Sequence, residues 1–214
     1  MEIFLDTANL EDIRRYAFLL DGVTTNPTLL AQEDSRGDWK RVVRTIAEMV
    51  KGPVSVEAVG ETAGELVAHA EELTSLSPRV VVKIPMTEEG LRATRALSGR
   101  GISTNVTLLF SANQAILAAK AGATYASIFV GRLDDIGHDG IAVVKEAVDI
   151  YRIQGYSTRL ITASVRHPLH VTAAARAGTH AITIPPTVLA LMGSHSLTDI
   201  GIARFTKDWK RLVG

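Results

Sequence analysis

Cysteine is absent from the 214 residues of this chain. Its absence excludes disulfides, thiolate catalysis and cysteine-ligated metal sites. An excess of one charge is absent too, since 23 lysines and arginines balance 23 aspartates and glutamates. A balanced chain argues against a general surface for nucleic acid or for an anionic membrane, while leaving room for a local basic pocket. We therefore expect no nucleic-acid partner and no membrane partner.

Long apolar runs are also missing. No run is long enough to span a bilayer, and residues 1–9 have no basic stretch followed by a long apolar one. A cytoplasmic protein is the default expectation. Hydrophobic residues nevertheless make up 46% of the chain, enough for a sizeable core. The length suits one domain over residues 1–214.

Short β-branched runs alternate with longer helical patterns along the whole chain. Several runs are continuously apolar, which is typical of strands covered on both faces in a parallel sheet. Strands are predicted at residues 3–5, 22–25, 54–59, 80–84, 103–107, 125–130, 159–163 and 181–184. Helices are predicted at residues 38–50, 62–76, 111–121, 139–154 and 168–177, with two more beginning near residues 10 and 87.

Eight strand-helix units in this length favour an α/β fold of the (β/α)8 TIM-barrel type. The main alternative is a doubly wound open sheet, which normally has a glycine-rich phosphate loop after its first strand. Here the residues after the first strand are Asp6-Thr7-Ala8-Asn9, and neither a GxGxxG nor a Walker A pattern occurs. We therefore predict the barrel.

Residues 196–213 predict an extra, amphipathic C-terminal helix. Phe205 and Trp209 are four residues apart and so lie on one face of it. This face could fold over its own barrel or dock on a neighbouring subunit. Docking is favoured, because the spacing is typical of an anchor in a groove, and we therefore expect a homo-oligomer.

In a barrel of this type, chemistry takes place at the carboxyl ends of the strands. Several polar or aromatic residues lie at the predicted ends and could face one mouth. They are Asp6, Asn26, Glu57, Lys83, Asn105, Thr107, Ser127, Phe129, Arg132, Ser164 and Arg166.

Lys83 follows three valines inside an apolar strand. An ammonium there is costly to desolvate, which favours the neutral, nucleophilic amine. A lone strand lysine would more often extend to solvent or pair with a carboxylate. Asp6 could merely belong to a helix cap, and Glu57 could be a carboxylate in water. Together, however, an amine and two carboxylates at separate strand ends suit Schiff-base aldol chemistry.

Arg132 and Arg166 are candidates for binding an anion, because a guanidinium matches phosphate oxygens. Ser164 adds a hydroxyl donor. The equally weighted alternative is surface ion pairing, for example of Arg132 with Asp134 or Asp135.

No metal site is predicted. Residues 135–146 nearly fit a calcium loop, but Gly137 stands where Asp or Asn is expected, and we expect Asp139 to cap the next helix instead. His167 and His170 lack a third ligand.

At these residues the sequence resembles the small, microbial transaldolase family, which includes the fructose-6-phosphate aldolases. The matching segments are residues 4–9 (FLDTAN), 22–29 (GVTTNPTL), 82–87 (VKIPMT), 105–108 (NVTL), 129–132 (FVGR), 163–166 (ASVR) and 208–210 (DWK). They spread over nearly the whole chain. The resemblance implies a (β/α)8 barrel, class I aldolase chemistry without a cofactor, sugar-phosphate substrates, and a C-terminal helix that packs on a neighbour in pentamers or decamers.

The resemblance also implies roles for individual residues. Lys83 matches the Schiff-base lysine, and Asp6 matches the acid/base that moves the donor's C4-hydroxyl proton. Glu57 and Thr107 match residues that hold a catalytic water. The residues matched to substrate binding are Asn26 and Asn105 for the dihydroxyacetone portion, Ser127 for the pocket lining, and Ser164, Arg166 and Arg132 for the phosphate.

Two positions favour the transaldolase branch. The aldolases of this family have Tyr where this chain has Phe129, and Gln where it has Glu57. A tyrosine hydroxyl would help to release dihydroxyacetone, so phenylalanine favours its transfer. A fructose-6-phosphate aldolase is the alternative enzyme, and a catalytically silent barrel that binds sugar phosphates or serves as a scaffold is the alternative of another class.

Overall fold

The computed structural model describes residues 1–33 and 37–214. Eight parallel strands pair in chain order and close into a barrel, because β1 pairs with both β2 and β8. The strands are β1 (Glu2–Asp6), β2 (Gly22–Thr24), β3 (Val54–Glu57), β4 (Val80–Pro85), β5 (Thr104–Leu109), β6 (Tyr125–Phe129), β7 (Arg159–Ala163) and β8 (Ala181–Ile184). The predicted (β/α)8 barrel is confirmed.

Helices connect the strands and cover the barrel. They are α1 (Leu10–Tyr16), α2 (Pro27–Glu33), α3 (Trp39–Met49), α4 (Ala63–Thr74), α5 (Glu88–Ser98), α6 (Ala112–Ala121), α7 (Val130–Asp134), α8 (Gly140–Gln154), α9 (Pro168–Ala177), α10 (Pro186–Met192) and α11 (Ser196–Val213). The sequence pattern did not predict α2, α7 and α10. Each has five to seven residues, too few to display a helical period.

Two helix caps show which residues cap α1 and α8. The side chain of Asn9 accepts a hydrogen bond from Asp12 N at 2.9 Å and so caps α1, which leaves Asp6 free of that role. Asp139 Oδ1 accepts from Ala142 N at 2.9 Å and caps α8. The carboxylate of Asp139 is thus used as a cap.

An apolar layer closes the lower part of the barrel interior. It consists of Phe4, Val81, Tyr125, Ile161 and Ala181, and the Phe4 and Tyr125 rings meet edge to face at 6.0 Å. On each strand, the residue two positions later lines the upper cavity described below. Because alternate strand residues face the same side, the layer and the cavity are stacked along one interior.

Gly22 of β2 gives Phe4 the room it needs in this layer. A Cβ atom on Gly22 would lie 2.9 Å from the Phe4 ring and 2.7 Å from the carbonyl oxygen of Pro53. The close approach of β2 to the layer therefore requires glycine.

Strand β5 contains an irregularity at its upper end. Val106 pairs with Ala126, but the next pair joins Leu109 to Ile128, so β5 has one residue more than β6 between the two pairs. The extra residue forms a β-bulge, and Leu108 adopts a φ of 63° there. Bulges redirect side chains, and this one lies directly after Thr107.

Helix α11 packs differently from the others, since none of its residues is buried. Its large apolar side chains, Leu197, Ile200, Ile202, Phe205, Trp209, Leu212 and Val213, are 60% to 79% exposed. The helix therefore does not fold its apolar face over its own barrel. In the part of the chain that the structure describes, no helix is both long and apolar enough to cross a membrane.

Candidate active site

A cavity of about 210 Å³ lies at the carboxyl ends of the strands. It collects ten of the eleven predicted site residues: Asp6, Asn26, Lys83, Asn105, Thr107, Ser127, Phe129, Arg132, Ser164 and Arg166. The eleventh, Glu57, lines an adjoining cavity of about 430 Å³. Both cavities share Lys83 and Thr107, so Glu57 approaches the same amine from the other side.

Lys83 lies between the two cavities and is buried, with 5% of its surface exposed. Strand pairing aligns it with Glu57 on β3 and Asn105 on β5. Its Nζ donates to the carbonyl oxygen of Thr25 at 2.9 Å and lies 3.2 Å from Glu57 Oε2. The lysine therefore does not extend to solvent. It pairs with a carboxylate, and that carboxylate is one of the two named from the sequence.

Asp6 is held by a chain of hydroxyl groups. Its Oδ1 accepts from Thr24 Oγ1 at 2.7 Å, and Thr183 Oγ1 lies 2.6 Å from Thr24 Oγ1. Burial raises the pKa of Asp6 above its usual value of 3.8, although the Lys83 charge and the Thr24 hydroxyl offset part of the rise. A carboxyl group with a raised pKa binds a proton more readily than an ordinary one, which suits a group that takes a proton and later returns it.

A second polar chain crosses the interior from β6 to β3. Ser127 Oγ donates to Asn105 Oδ1 at 2.7 Å, and Asn105 Nδ2 donates to Ser55 Oγ at 3.2 Å. All three side chains are buried, so these bonds fix the orientation of the Asn105 amide.

Asn26 and Thr107 keep polar groups available for a bound molecule. Asn26 Oδ1 accepts from Leu29 N at 3.0 Å, which leaves its NH2 group for a ligand. Thr107 Oγ1 is buried, and no protein atom in the described parts of the chain forms a hydrogen bond with it. An unpaired buried hydroxyl is unfavourable unless a water or a ligand partners it.

Phe129 and Arg132 form one side of the cavity rim. The Arg132 guanidinium carbon lies 5.2 Å from the centroid of the Phe129 ring, a cation-π contact. Phe110 meets the same ring edge to face at 6.0 Å. Phe129 is thus surrounded on this side by an aromatic ring and a guanidinium group, neither of which has a hydroxyl.

Surface ion pairing, the alternative considered for the two arginines, occurs at Arg166 but not between Arg132 and Asp134 or Asp135. Asp135 Oδ2 instead accepts from Arg166 Nη2 at 2.9 Å, and Asp134 Oδ2 lies 2.8 Å from His170 Nε2. Arg132 has no ion pair within residues 1–33 and 37–214.

Ser164 and its neighbour Gly131 are in tight contact. Gly131 N donates to the carbonyl oxygen of Ser164 at 3.0 Å, and a Cβ on Gly131 would lie 2.2 Å from that oxygen. Ser164 adopts a φ of 59°, which is uncommon for a residue with a side chain. The end of β7 and the start of α7 are therefore locked together beside the cavity.

The sequence reasoning missed several residues that support this site. Ser55 and Thr183 face the barrel interior from β3 and β8, and strand alternation could have identified both. The Thr25 carbonyl oxygen has no sequence signal. His170 was considered only as a metal ligand. Across the described residues, no group of three or more histidines, aspartates and glutamates is arranged to hold a metal ion.

Taken as chemistry, the cavity offers an amine that can add to a carbonyl carbon, with carboxyl groups next to it that can move protons. At the rim, two guanidinium groups and a serine hydroxyl can bind an anionic group. The interior amides and hydroxyls can bind the hydroxyl groups of a polar substrate.

The comparisons with known proteins agree with these features. The family model described as "Transaldolase/Fructose-6-phosphate aldolase" matches residues 3–214. A probable transaldolase of Desulforudis audaxviator is 56% identical over 214 residues, covering 99% of each chain. Probable transaldolases of Pelotomaculum thermopropionicum and Moorella thermoacetica are 52% and 53% identical, each with 99% of both chains covered. A full-length match to the family model and identities above half leave one conclusion: the chain belongs to the transaldolase/fructose-6-phosphate aldolase family.

Proposed function

We propose that the protein is a transaldolase that acts through a Schiff base on Lys83. It transfers a dihydroxyacetone unit from a ketose phosphate, fructose 6-phosphate or sedoheptulose 7-phosphate, to an aldose phosphate of the pentose phosphate pathway. The observation that carries the proposal is the buried Lys83 amine, held 2.9 Å from the Thr25 carbonyl oxygen and 3.2 Å from Glu57 at the base of the cavity.

In the first stage, Lys83 gives up a proton, for which Glu57 is the nearest carboxylate, and its amine attacks the ketone carbon of the donor. The carbinolamine that forms loses water and becomes an iminium ion, which requires proton transfer to the departing hydroxyl. Glu57 lies next to the amine, and Thr107 has an unpaired hydroxyl in the same cavity. We assign to these two side chains the water that shuttles the protons.

In the second stage, Asp6 takes the proton from the C4 hydroxyl of the donor, and the C3–C4 bond breaks. Its electrons pass to the iminium group, which becomes an enamine, and glyceraldehyde 3-phosphate leaves. The burial that raises the pKa of Asp6 suits this role, because the same carboxyl must later return the proton.

In the third stage, the enamine carbon attacks the aldehyde carbon of erythrose 4-phosphate and a new C–C bond forms. Asp6 returns its proton to the new hydroxyl. Hydrolysis of the iminium then releases sedoheptulose 7-phosphate and restores the free amine. The iminium is the electron sink throughout, so the proposed steps involve no cofactor.

Substrate binding follows from the remaining polar groups. The Asn26 NH2 group and Asn105, oriented by Ser127, are assigned to the dihydroxyacetone portion. The rim residues Ser164, Arg166 and Arg132 are assigned to the phosphate group, since all three line the cavity and carry hydroxyl or guanidinium donors.

Transfer rather than release is favoured by Phe129. Its ring packs against Phe110 and Arg132 and provides no hydroxyl near the enamine. Without a hydroxyl at this position to place a proton donor beside the enamine, the enamine persists until an aldehyde arrives. A tyrosine at this position would favour the alternative, an aldolase that frees dihydroxyacetone.

We also propose a homo-oligomer, a pentamer or a decamer, in which α11 packs on a neighbouring subunit. The support is the exposed apolar face of α11, with Phe205 73% and Trp209 64% exposed. A contiguous apolar surface of this kind is typical of a protein-protein contact.

Trapping the intermediate tests the Schiff base directly. Borohydride added with fructose 6-phosphate should reduce the iminium and leave a stable mass increase on Lys83, located by peptide mass spectrometry. Lys83→Met should show no adduct, and its turnover should fall at least about a thousandfold, as for other nucleophile deletions. Absence of an adduct on wild-type Lys83 would contradict the proposed mechanism.

The role of Thr107 can be separated from its place in the fold. Because its hydroxyl has no hydrogen-bond partner among residues 1–33 and 37–214, Thr107→Val should leave thermal stability unchanged or raise it by up to about 1 kcal/mol. Loss of the water should lower kcat at least about tenfold. Thr104→Val is the matched control, since Thr104 is also buried and unpaired on β5 but does not line either cavity. Equal kcat values for both variants would remove Thr107 from the mechanism.

Phe129→Tyr should change the product. The added hydroxyl should raise the ratio of free dihydroxyacetone to transferred product, by about tenfold if it assists proton transfer. Products formed from fructose 6-phosphate are measured with and without erythrose 4-phosphate. Phe110→Tyr, which alters the neighbouring ring, serves as the control. Rapid release of dihydroxyacetone by the wild-type protein would identify it as the aldolase instead.

The assembly proposal predicts a change in mass. The double variant Phe205→Ser, Trp209→Ser should lower the oligomer mass in light scattering coupled to gel filtration, because it removes the central apolar contacts of α11. Ile153→Ser, on the 72% exposed position in α8, should leave the mass unchanged. A wild-type protein that elutes as a monomer would disprove the assembly.

A further inference from the structure

A buried histidine supports the segment from Ser164 to Arg166 from behind. His170 lies in the first turn of α9 and is 6% exposed. Its Nδ1 accepts from the backbone N–H of Arg166 at 3.2 Å, and its Nε2 lies 2.8 Å from Asp134 Oδ2. The ring therefore links the backbone beside the cavity to a carboxylate on α7.

These contacts require one protonation state and one tautomer of His170. The Arg166 N–H is a donor, so Nδ1 must carry a lone pair, and the proton of the neutral ring must be on Nε2, where Asp134 accepts it. Asp134 is itself oriented, because its Oδ1 accepts from Gly140 N at 3.0 Å. The chain Asp134–His170–Arg166 N thus has a donor facing an acceptor at each step.

The supported segment is the one that presents groups to the rim. Ser164 has its left-handed φ of 59°, and its carbonyl oxygen accepts from Gly131 N. The Arg166 side chain is fixed separately, through its contact with Asp135 at 2.9 Å. The His170 ring holds the Arg166 backbone, through the hydrogen bond from Arg166 N to Nδ1.

We propose that His170, fixed by Asp134, is a positioning residue for the anion-binding rim formed by Ser164 and Arg166. It holds the backbone so that the serine hydroxyl and the guanidinium face the same phosphate group. This inference rests on the proposed function only in that the anion is the phosphate of a sugar phosphate. His170 itself contacts no substrate.

Three variants of His170 separate its two hydrogen bonds. Asn carries its side-chain oxygen near the position of Nδ1, so His170→Asn keeps an acceptor for Arg166 N–H. Gln carries its amide nitrogen near the position of Nε2, so His170→Gln keeps only the donor to Asp134. His170→Ala removes both. His138→Gln is the matched control, since His138 is exposed and its side chain forms no hydrogen bond in the described residues.

Binding of inorganic phosphate, measured by calorimetry, is the readout that does not require activity. We expect the dissociation constant to rise about five- to tenfold in His170→Gln and His170→Ala, the effect of one lost hydrogen bond of ordinary strength. His170→Asn should stay within about twofold of wild type, and His138→Gln should be unchanged. Equal affinities for all variants would disprove the positioning role.

Kinetics separate positioning from a general loss of structure. For the Gln and Ala variants, KM should rise for erythrose 4-phosphate but not for unphosphorylated erythrose, with kcat little changed for both. A uniform loss of kcat with both acceptors, together with a lower Tm, would identify a merely structural role and overturn the proposal. If wild-type Lys83 forms no borohydride adduct, the proposed function fails, while the phosphate titration still tests the rim.

The pH dependence gives an independent test. Burial, the nearby His167 and the Arg166 charge lower the pKa of His170 below 6.5, against an opposing effect of Asp134. Protonation adds a hydrogen at Nδ1, so Nδ1 can no longer accept the hydrogen bond from Arg166 N–H. Phosphate affinity of the wild type should therefore fall, relative to His170→Asn, as pH drops through this lowered pKa. Parallel pH curves for the two proteins would contradict the proposal.

Discussion

The structure depends first on how a single buried ammonium or amine group is accommodated. Lys83 is buried within a strand that begins with three valines, so its nitrogen loses its hydration on folding. Polar protein groups must replace the lost water. The Thr25 carbonyl oxygen and Glu57 supply this compensation from β2–α2 and β3, at 2.9 and 3.2 Å. Removing either partner would take away one of the two short contacts of the buried nitrogen, so β3 must keep its register with β4, and β2 its register with β3, for the lysine to be tolerated.

That register extends to the rest of the interior. The same alternation that turns Lys83 inward places Val81 in the apolar layer beneath it. The polar groups above the layer are joined in pairs, such as Asp6 with Thr24 and Asn105 with Ser127. Such networks are stable only when nearly every group has a partner. Thr107 is the exception that lines the cavity, which is why a bound water or ligand is the natural partner for its hydroxyl.

Much of this arrangement could be predicted from the sequence, because strand alternation and the (β/α)8 architecture both have a period. Those periods brought Asp6, Lys83 and Arg166 to one cavity. The pattern fails where the period is broken. The bulge at Leu108 extends β5 past its predicted end, since the alternation restarts after the extra residue.

Contacts between loops were also beyond the sequence. The pairing of Asp135 with Arg166, rather than with Arg132, depends on how the β6–α8 and β7–α9 connections approach each other. No local pattern encodes that distance. For the same reason His170 could be identified as a buried support only after Asp134 was found beside its ring.

The left-handed backbone at Leu108 and Ser164 limits which substitutions could stabilise this protein. They are the non-glycine residues with a left-handed φ in the described chain, and each such residue costs about 1 kcal/mol or more of folding free energy. Both border the cavities at the carboxyl ends of the strands. Glycine would relieve the strain at either position, but it would also make the backbone that borders the cavities more flexible. A gain in stability and a fixed shape of the cavities therefore compete at the same two residues.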